Sequence, residues 1–87
     1  MKGKTKTGFE FDINDRILND MELIDALAAM QGENPLAVSL AVEKMLGSEQ
    51  RKKLYDHVRD EENIVSADLV GEELSDMLEQ LGNEGKN

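Results

Sequence analysis

The sequence predicts a mainly α protein: a short N-terminal β-strand followed by a compact bundle of three to four amphipathic helices. Three observations predict it. From Phe9 to Ile13 apolar residues alternate with charged ones, the period of a half-buried strand. From Met21 to Leu81 they recur at three- and four-residue steps, in blocks. Each block carries its own start or stop signals, among them the single proline of the chain.

Residues 1–7, with Lys2, Lys4 and Lys6, read as a flexible basic N-terminus. Residues 8–81 form one helical domain with an N-terminal strand, and residues 82–87 a disordered polar tail. In the strand, Phe9, Phe11 and Ile13 share one face. A lone strand is unstable, so it requires a partner. Ile64-Val65 or a second chain could supply one, which makes Phe9, Phe11 and Ile13 the candidate self-association strand.

Asn19 is placed to cap the first helix, with Glu22 three residues on to return the bond. Met21, Ile24, Leu27 and Ala28 line one face of that helix, widened by Leu23 and Met30. Gln31-Gly32 supplies its stop. Asn34-Pro35 restarts the chain as a cap followed by proline at the first helical position. Leu36, Val38, Leu40, Ala41, Val42, Met45 and Leu46 make the next block the most apolar one. Gly47-Ser48 ends it and caps a third block, in which Leu54, Tyr55 and Val58 point inward and Arg51, Lys52 and Lys53 outward. After a polar turn at 60–63, Ser66 is the N-cap candidate for a last helix. There Leu69, Val70, Leu74, Met77, Leu78 and Leu81 recur at helical spacing, and Val65 is set to staple against Val70.

Eighty-seven residues make one domain, able to bury about 60% of the surface of its unfolded chain. With two Phe, one Tyr and no Trp, the core must be aliphatic and Met-filled. The absence of Cys excludes a disulfide framework and thiolate zinc sites. No apolar run reaches signal-peptide or membrane-span length, so the cytoplasm is the expected compartment and no membrane partner is expected. A net charge of −9 argues against binding nucleic acid backbones. Between Asp60 and Glu79 stand eight acids and no Lys or Arg. Of these, Asp68, Glu72, Glu73, Asp76 and Glu79 form a candidate acidic docking face, against the alternative of a solvated helix face.

No catalytic, metal or cofactor constellation is found. His57 is the only histidine, and one His without Cys cannot build an ordinary zinc site. Asp12, Asn14 and Asp15 begin like a calcium loop, but Arg16 and the missing bidentate Glu break it. Gly47-Ser48-Glu49 lacks the spacing and lysine of a phosphate loop. Acyl carrier proteins need Asp-Ser-Leu at a helix start; here the order is Ser75-Asp76-Met77. The residues therefore describe a protein that binds rather than an enzyme.

Three stretches carry a family resemblance. They are Thr7-Gly8-Phe9-Glu10-Phe11-Asp12-Ile13, Asn19-Asp20-Met21-Glu22-Leu23 through Asn34-Pro35-Leu36, and Met45-Leu46-Gly47-Ser48-Glu49-Gln50 into Leu54-Tyr55-Asp56-His57-Val58-Arg59 and Asn63-Ile64-Val65. Across residues 7–81 the chain resembles the small tail assembly chaperones of long-tailed phages and prophages of Gram-positive bacteria. The resemblance implies binding of the tape measure protein, which is kept soluble while tail tube subunits polymerise around it. It also implies multimers, with the tail tube protein as a further partner, in the host cytoplasm and not in the mature virion. Many such genes carry a backward ribosomal frameshift near their end, with which Gly85-Lys86-Asn87 is compatible. On this reading Met21, Met30, Met45 and Met77 edge an adaptable client groove, against the alternative of an ordinary core. The competing class is an acidic adaptor that mimics nucleic acid through Asp60 to Glu79 toward a basic partner.

Overall fold

The structure, a computed structural model, describes residues 1–30 and 34–84. It is mainly helical with a small N-terminal sheet, as the sequence predicts. The N-terminus is the first correction. Residues 1–7 are not a flexible tip: strand β1 (Lys2–Lys4) pairs antiparallel with β2 (Glu10–Asp12), Lys2 facing Asp12, Gly3 facing Phe11 and Lys4 facing Glu10. The connection explains why. Thr5 N–H donates to Phe9 O and Gly8 N–H to Thr5 O, both at 2.9 Å, while Gly8 takes φ 98°. This is a three-residue hairpin loop closed by a left-handed glycine. Lysines opposite acids favour the same register on the solvent face.

The strand's apolar face is as expected, with Phe9, Phe11 and Ile13 buried in the core. Its partner is not. It is β1 rather than Ile64-Val65, because Ile13 N–H donates to Met1 O and that side of the ladder is filled by the chain's own first residues. The outer edges are met in part by side chains. Gln50 accepts from Asp12 N–H and donates to Asp12 O, each at 2.8 Å, and Gln80 donates to Lys4 O at 2.9 Å. Phe9, Phe11 and Ile13 are therefore core residues of a hairpin formed within the chain.

A 3-10 helix (Asp15–Asn19), opened by the Asn14 side chain, leads into α1 (Met21–Met30). The cap of α1 is Asp20 rather than Asn19: its Oδ1 accepts from Glu22 N–H at 2.8 Å and Leu23 N–H at 3.3 Å. The buried face of α1 is also turned from the expected one. Leu23 and Ala26 are buried, whereas Met21 and Ile24 look outward. Apolar residues occupy both sides of this helix, so its period allowed two seams. Lys44 secures the observed one from α2, bonding Glu22 at 2.9 Å and Asp20 at 3.2 Å.

In α2 (Pro35–Val58) the Asn34 cap and Pro35 stand where expected, Asn34 Oδ1 accepting from Leu36 N–H at 3.1 Å. Gly47, at φ 79° and ψ 167°, breaks it into arms 35–46 and 48–58. That conformation is essentially open to glycine alone. Ser48 does not cap the second arm; its hydroxyl donates to Glu43 across the break at 2.8 Å, and Arg51 pairs with the same carboxylate at 3.1 Å. After a turn in which Asp60 Oδ1 accepts from Glu62 and Ile64 N–H, Ser66 Oγ caps α3 (Ala67–Glu84), accepting from Leu69 N–H at 3.3 Å. The helix runs through Gly82 to Glu84, where the sequence predicts a polar tail from 82. Its residues 85–87, like the Gln31-Gly32 stop signal, lie outside the described residues.

Leu23, Ala41, Val42, Leu54, Leu74 and Met77 form the centre of the core, closed by Phe9, Phe11 and Ile13. No helix among the described residues is long and apolar enough to cross a membrane. Gly3 has a packing reason of its own. A Cβ there would lie 2.5 Å from Phe11 Cζ, because the ring folds across the strand onto the glycine. Gly3→Ala should thus destabilise the fold by about 1–3 kcal/mol through overpacking. The exposed neighbour Lys4→Ala should change stability by no more than about 0.5 kcal/mol. Urea midpoints measured with unchanged slope distinguish the two.

Candidate functional site

Helix α3 presents three faces. Val70, Leu74, Met77 and Leu81 enter the core. Glu73, Asp76 and Gln80, three and four residues apart, turn to the hairpin. Asp68, Glu72 and Glu79 look into a cleft. The five acids expected to form one docking face are thus divided by role, although all five border that cleft. Glu73 and Asp76 are buried, which corrects their assignment to a solvent-facing patch.

The buried pair anchors the hairpin loop. Glu73 Oε1 accepts from the Thr5 hydroxyl at 3.0 Å and the Thr7 hydroxyl at 2.7 Å. Asp76 Oδ2 accepts from Lys6 N–H at 2.7 Å, and its Oδ1 takes Gln80 at 3.2 Å. The Lys6 backbone bond draws the Asp76 carboxyl below its usual range; burial opposes this, while the Gln80 bond and the Lys6 charge assist. Spacing alone marks these acids as one more part of a charged helix. Their role becomes visible only when the hairpin is in place.

His57 Nε2 lies 2.9 Å from Thr7 Oγ1, the separation of a nucleophile from its base. The proton order runs the wrong way for activation. Thr7 gives its single hydroxyl proton to Glu73, so the imidazole donates to Thr7 rather than accepting from it. Glu73 also sits on the hydroxyl side, 3.8 Å from the same ring nitrogen, and not behind the ring as an orienting acid does. Phe9 packs on the imidazole with ring centroids 5.6 Å apart, so the cluster fastens the loop to the second arm of α2. Among the described residues, no group of three or more His, Cys, Asp or Glu could hold a metal ion.

Besides a concavity of about 660 Å³ over the hairpin, lined by Lys4, Glu10 and Gln50 among others, two concave surfaces lie among the helices of the described residues. The cleft beside α3 has a volume of about 1010 Å³ and is floored by Met30, Pro35, Val38 and Gly71. A smaller groove of about 450 Å³ lies between α1 and the first arm of α2, lined by Ala26, Ala29 and Leu40 with Glu22, Asp25 and Lys44 around it. The methionines do not edge a common groove. Met45 and Met77 are core residues, Met30 lines the larger cleft, and Met21 is exposed on α1. Two residues of the most apolar block, Leu36 and Leu40, are 74% and 64% exposed. They lie one turn apart on α2, and the block they belong to is apolar nearly all round, so periodicity could not tell its outer side from its inner one.

Comparison with protein-family models, with curated proteins and with solved structures gives no match to this chain.

The anchor sets a pH dependence. Asp76 has a lower pKa folded than unfolded, so its contribution is complete above the unfolded value near 4 and is lost as pH falls through the folded value. Stability should decline on acidification below about pH 5. Asp76→Ala leaves Lys6 N–H without its acceptor and should cost about 1–3 kcal/mol at pH 7. It should also flatten the acid limb of a urea-midpoint series; an unchanged limb would remove Asp76 from the anchor.

Proposed function

We propose that this protein is a non-catalytic tail assembly chaperone, which binds the tape measure protein in the host cytoplasm and is left out of the finished virion. The observation that carries the reading is the apolar surface left open along the α1–α2 groove. Leu40, 64% exposed, lines it, and Leu36 and Met21 stand 74% and 63% exposed on the same two helices, in a chain with few large apolar residues to spare. Exposed apolar side chains around a groove suit the apolar stripe of a partner helix. Leu36 and Leu40 lie a turn apart, the repeat along which such a helix would seat. The tail tube protein is a second candidate partner. Self-association belongs to the same reading.

The acidic adaptor has less in its favour. A nucleic-acid mimic needs a continuous row of free charges, whereas Asp60 caps its own turn and Glu73 and Asp76 hold the hairpin. The two readings differ in salt response, since screening weakens exposed charge contacts and leaves apolar ones.

Co-expression with the tape measure protein tests the proposal. Its soluble fraction should rise, and the two should co-purify at low and high salt. Leu36→Lys with Leu40→Lys should abolish the rise while changing stability by about 0.5 kcal/mol or less, as both side chains are exposed. No rise with the native chain, or a rise that survives the double substitution, would overturn the assignment of this groove.

A further inference from the structure

The larger cleft contains a glycine that the fold does not require. Gly71 lies within α3, where it costs about 1 kcal/mol relative to alanine. Its φ is not positive, and a Cβ added there would meet nothing within 4 Å. The contrast is Gly3, whose missing Cβ is replaced by the Phe11 ring. At Gly71 the vacant position opens into the cleft. Ala67 and Ser75, one turn to either side, extend a low strip along the helix, and Met30, Pro35 and Val38 face it with apolar surface. Asp68, Glu72 and Glu79 border the strip, and none of them forms an ion pair among the described residues.

From this geometry we infer that the cleft receives a basic amphipathic helix from a partner protein. The low strip allows close approach of a helix backbone, as small residues do wherever helices pack tightly. The apolar floor takes the partner's apolar stripe. The three free carboxylates take Lys or Arg from its flanks, where charge complementarity sets orientation and rate of encounter. The cleft residues of α3 and α2 are helical and offer no open strand edge, so an extended peptide would find no backbone ladder there. This surface is distinct from the α1–α2 groove, and the inference stands independently of the chaperone reading.

The test is a titration with a synthetic peptide of about 18 residues, five helical turns, built from Leu, Ala and Lys with the lysines along one face. A scrambled peptide of the same composition is the comparison. The patterned peptide should bind at about 150 mM salt, where the Debye length is near 8 Å, and the scrambled one should not. Two variants should each weaken binding at least about tenfold, or 1.4 kcal/mol. The first is Gly71→Leu, which fills the strip while raising helix propensity. The second combines Asp68→Asn, Glu72→Gln and Glu79→Gln. A control with Glu10→Gln, Glu61→Gln and Glu62→Gln carries the same net charge and should bind within about threefold of the native chain. Circular dichroism verifies that each variant is folded. Absence of binding, equal binding of the scrambled peptide, or equal loss in both triple variants would overturn the site and leave only general attraction to an acidic chain. Loss of the tape-measure effect through Leu36 and Leu40 would leave this result untouched.

Discussion

A hairpin with three-residue strands does not hold together alone in water, yet this one supplies Phe9, Phe11 and Ile13 to the core. Each such side chain contributes about 1.5–3 kcal/mol when buried. The whole molecule therefore rests on keeping the hairpin in contact with the helices. Glu73 and Asp76 do this at the loop, and Gln50 and Gln80 do it at the edges. The ladder groups that a two-stranded sheet leaves open are met in part by side-chain amides, which lets so small a sheet be buried on one face. A short aromatic-poor chain gains its largest core residues in this way.

That arrangement also decides what is free for binding. Because Glu73 and Asp76 are committed to the hairpin, the acidic character of α3 is confined to one outer face. The core consumes two of the internal methionines and leaves Met21 and Met30 at different surfaces. One concave surface among the helices is apolar and lies between α1 and α2; another is edged with acid and lies beside α3. Their chemistry differs enough for two partner segments to be accommodated without competition for the same side chains.

Much of the architecture was legible in the sequence, and the reasons are local. Asn34-Pro35, Gly47 and Ser66 mark boundaries through backbone chemistry that operates whatever the tertiary context. The alternation from Phe9 to Ile13 assigned a buried face correctly. The strand partner was not legible, since β1 is only three residues long and carries two lysines. One signal was available: Gly8 stands where a left-handed residue would close a loop started by Thr5. The site was less legible than the fold. Whether an acid is solvated or anchors another segment depends on what packs against it, and helical spacing is identical in both cases. The same limit applies to Met45 against Met21, and to Leu36 and Leu40 within the most apolar block.

The hairpin anchor has a consequence for the order in which the fold can form. Thr5 and its acceptor on Glu73 are 68 residues apart, and Lys4 and Gln80 are 76 apart. The strands are synthesised well before the helix that holds them. Contacts so distant in sequence are closed late and slowly. During translation the chain therefore carries an unsheltered aromatic face past the ribosome until α3 emerges. For a protein proposed to shield another chain from aggregation, the most exposed interval of its own life comes before α3 is made.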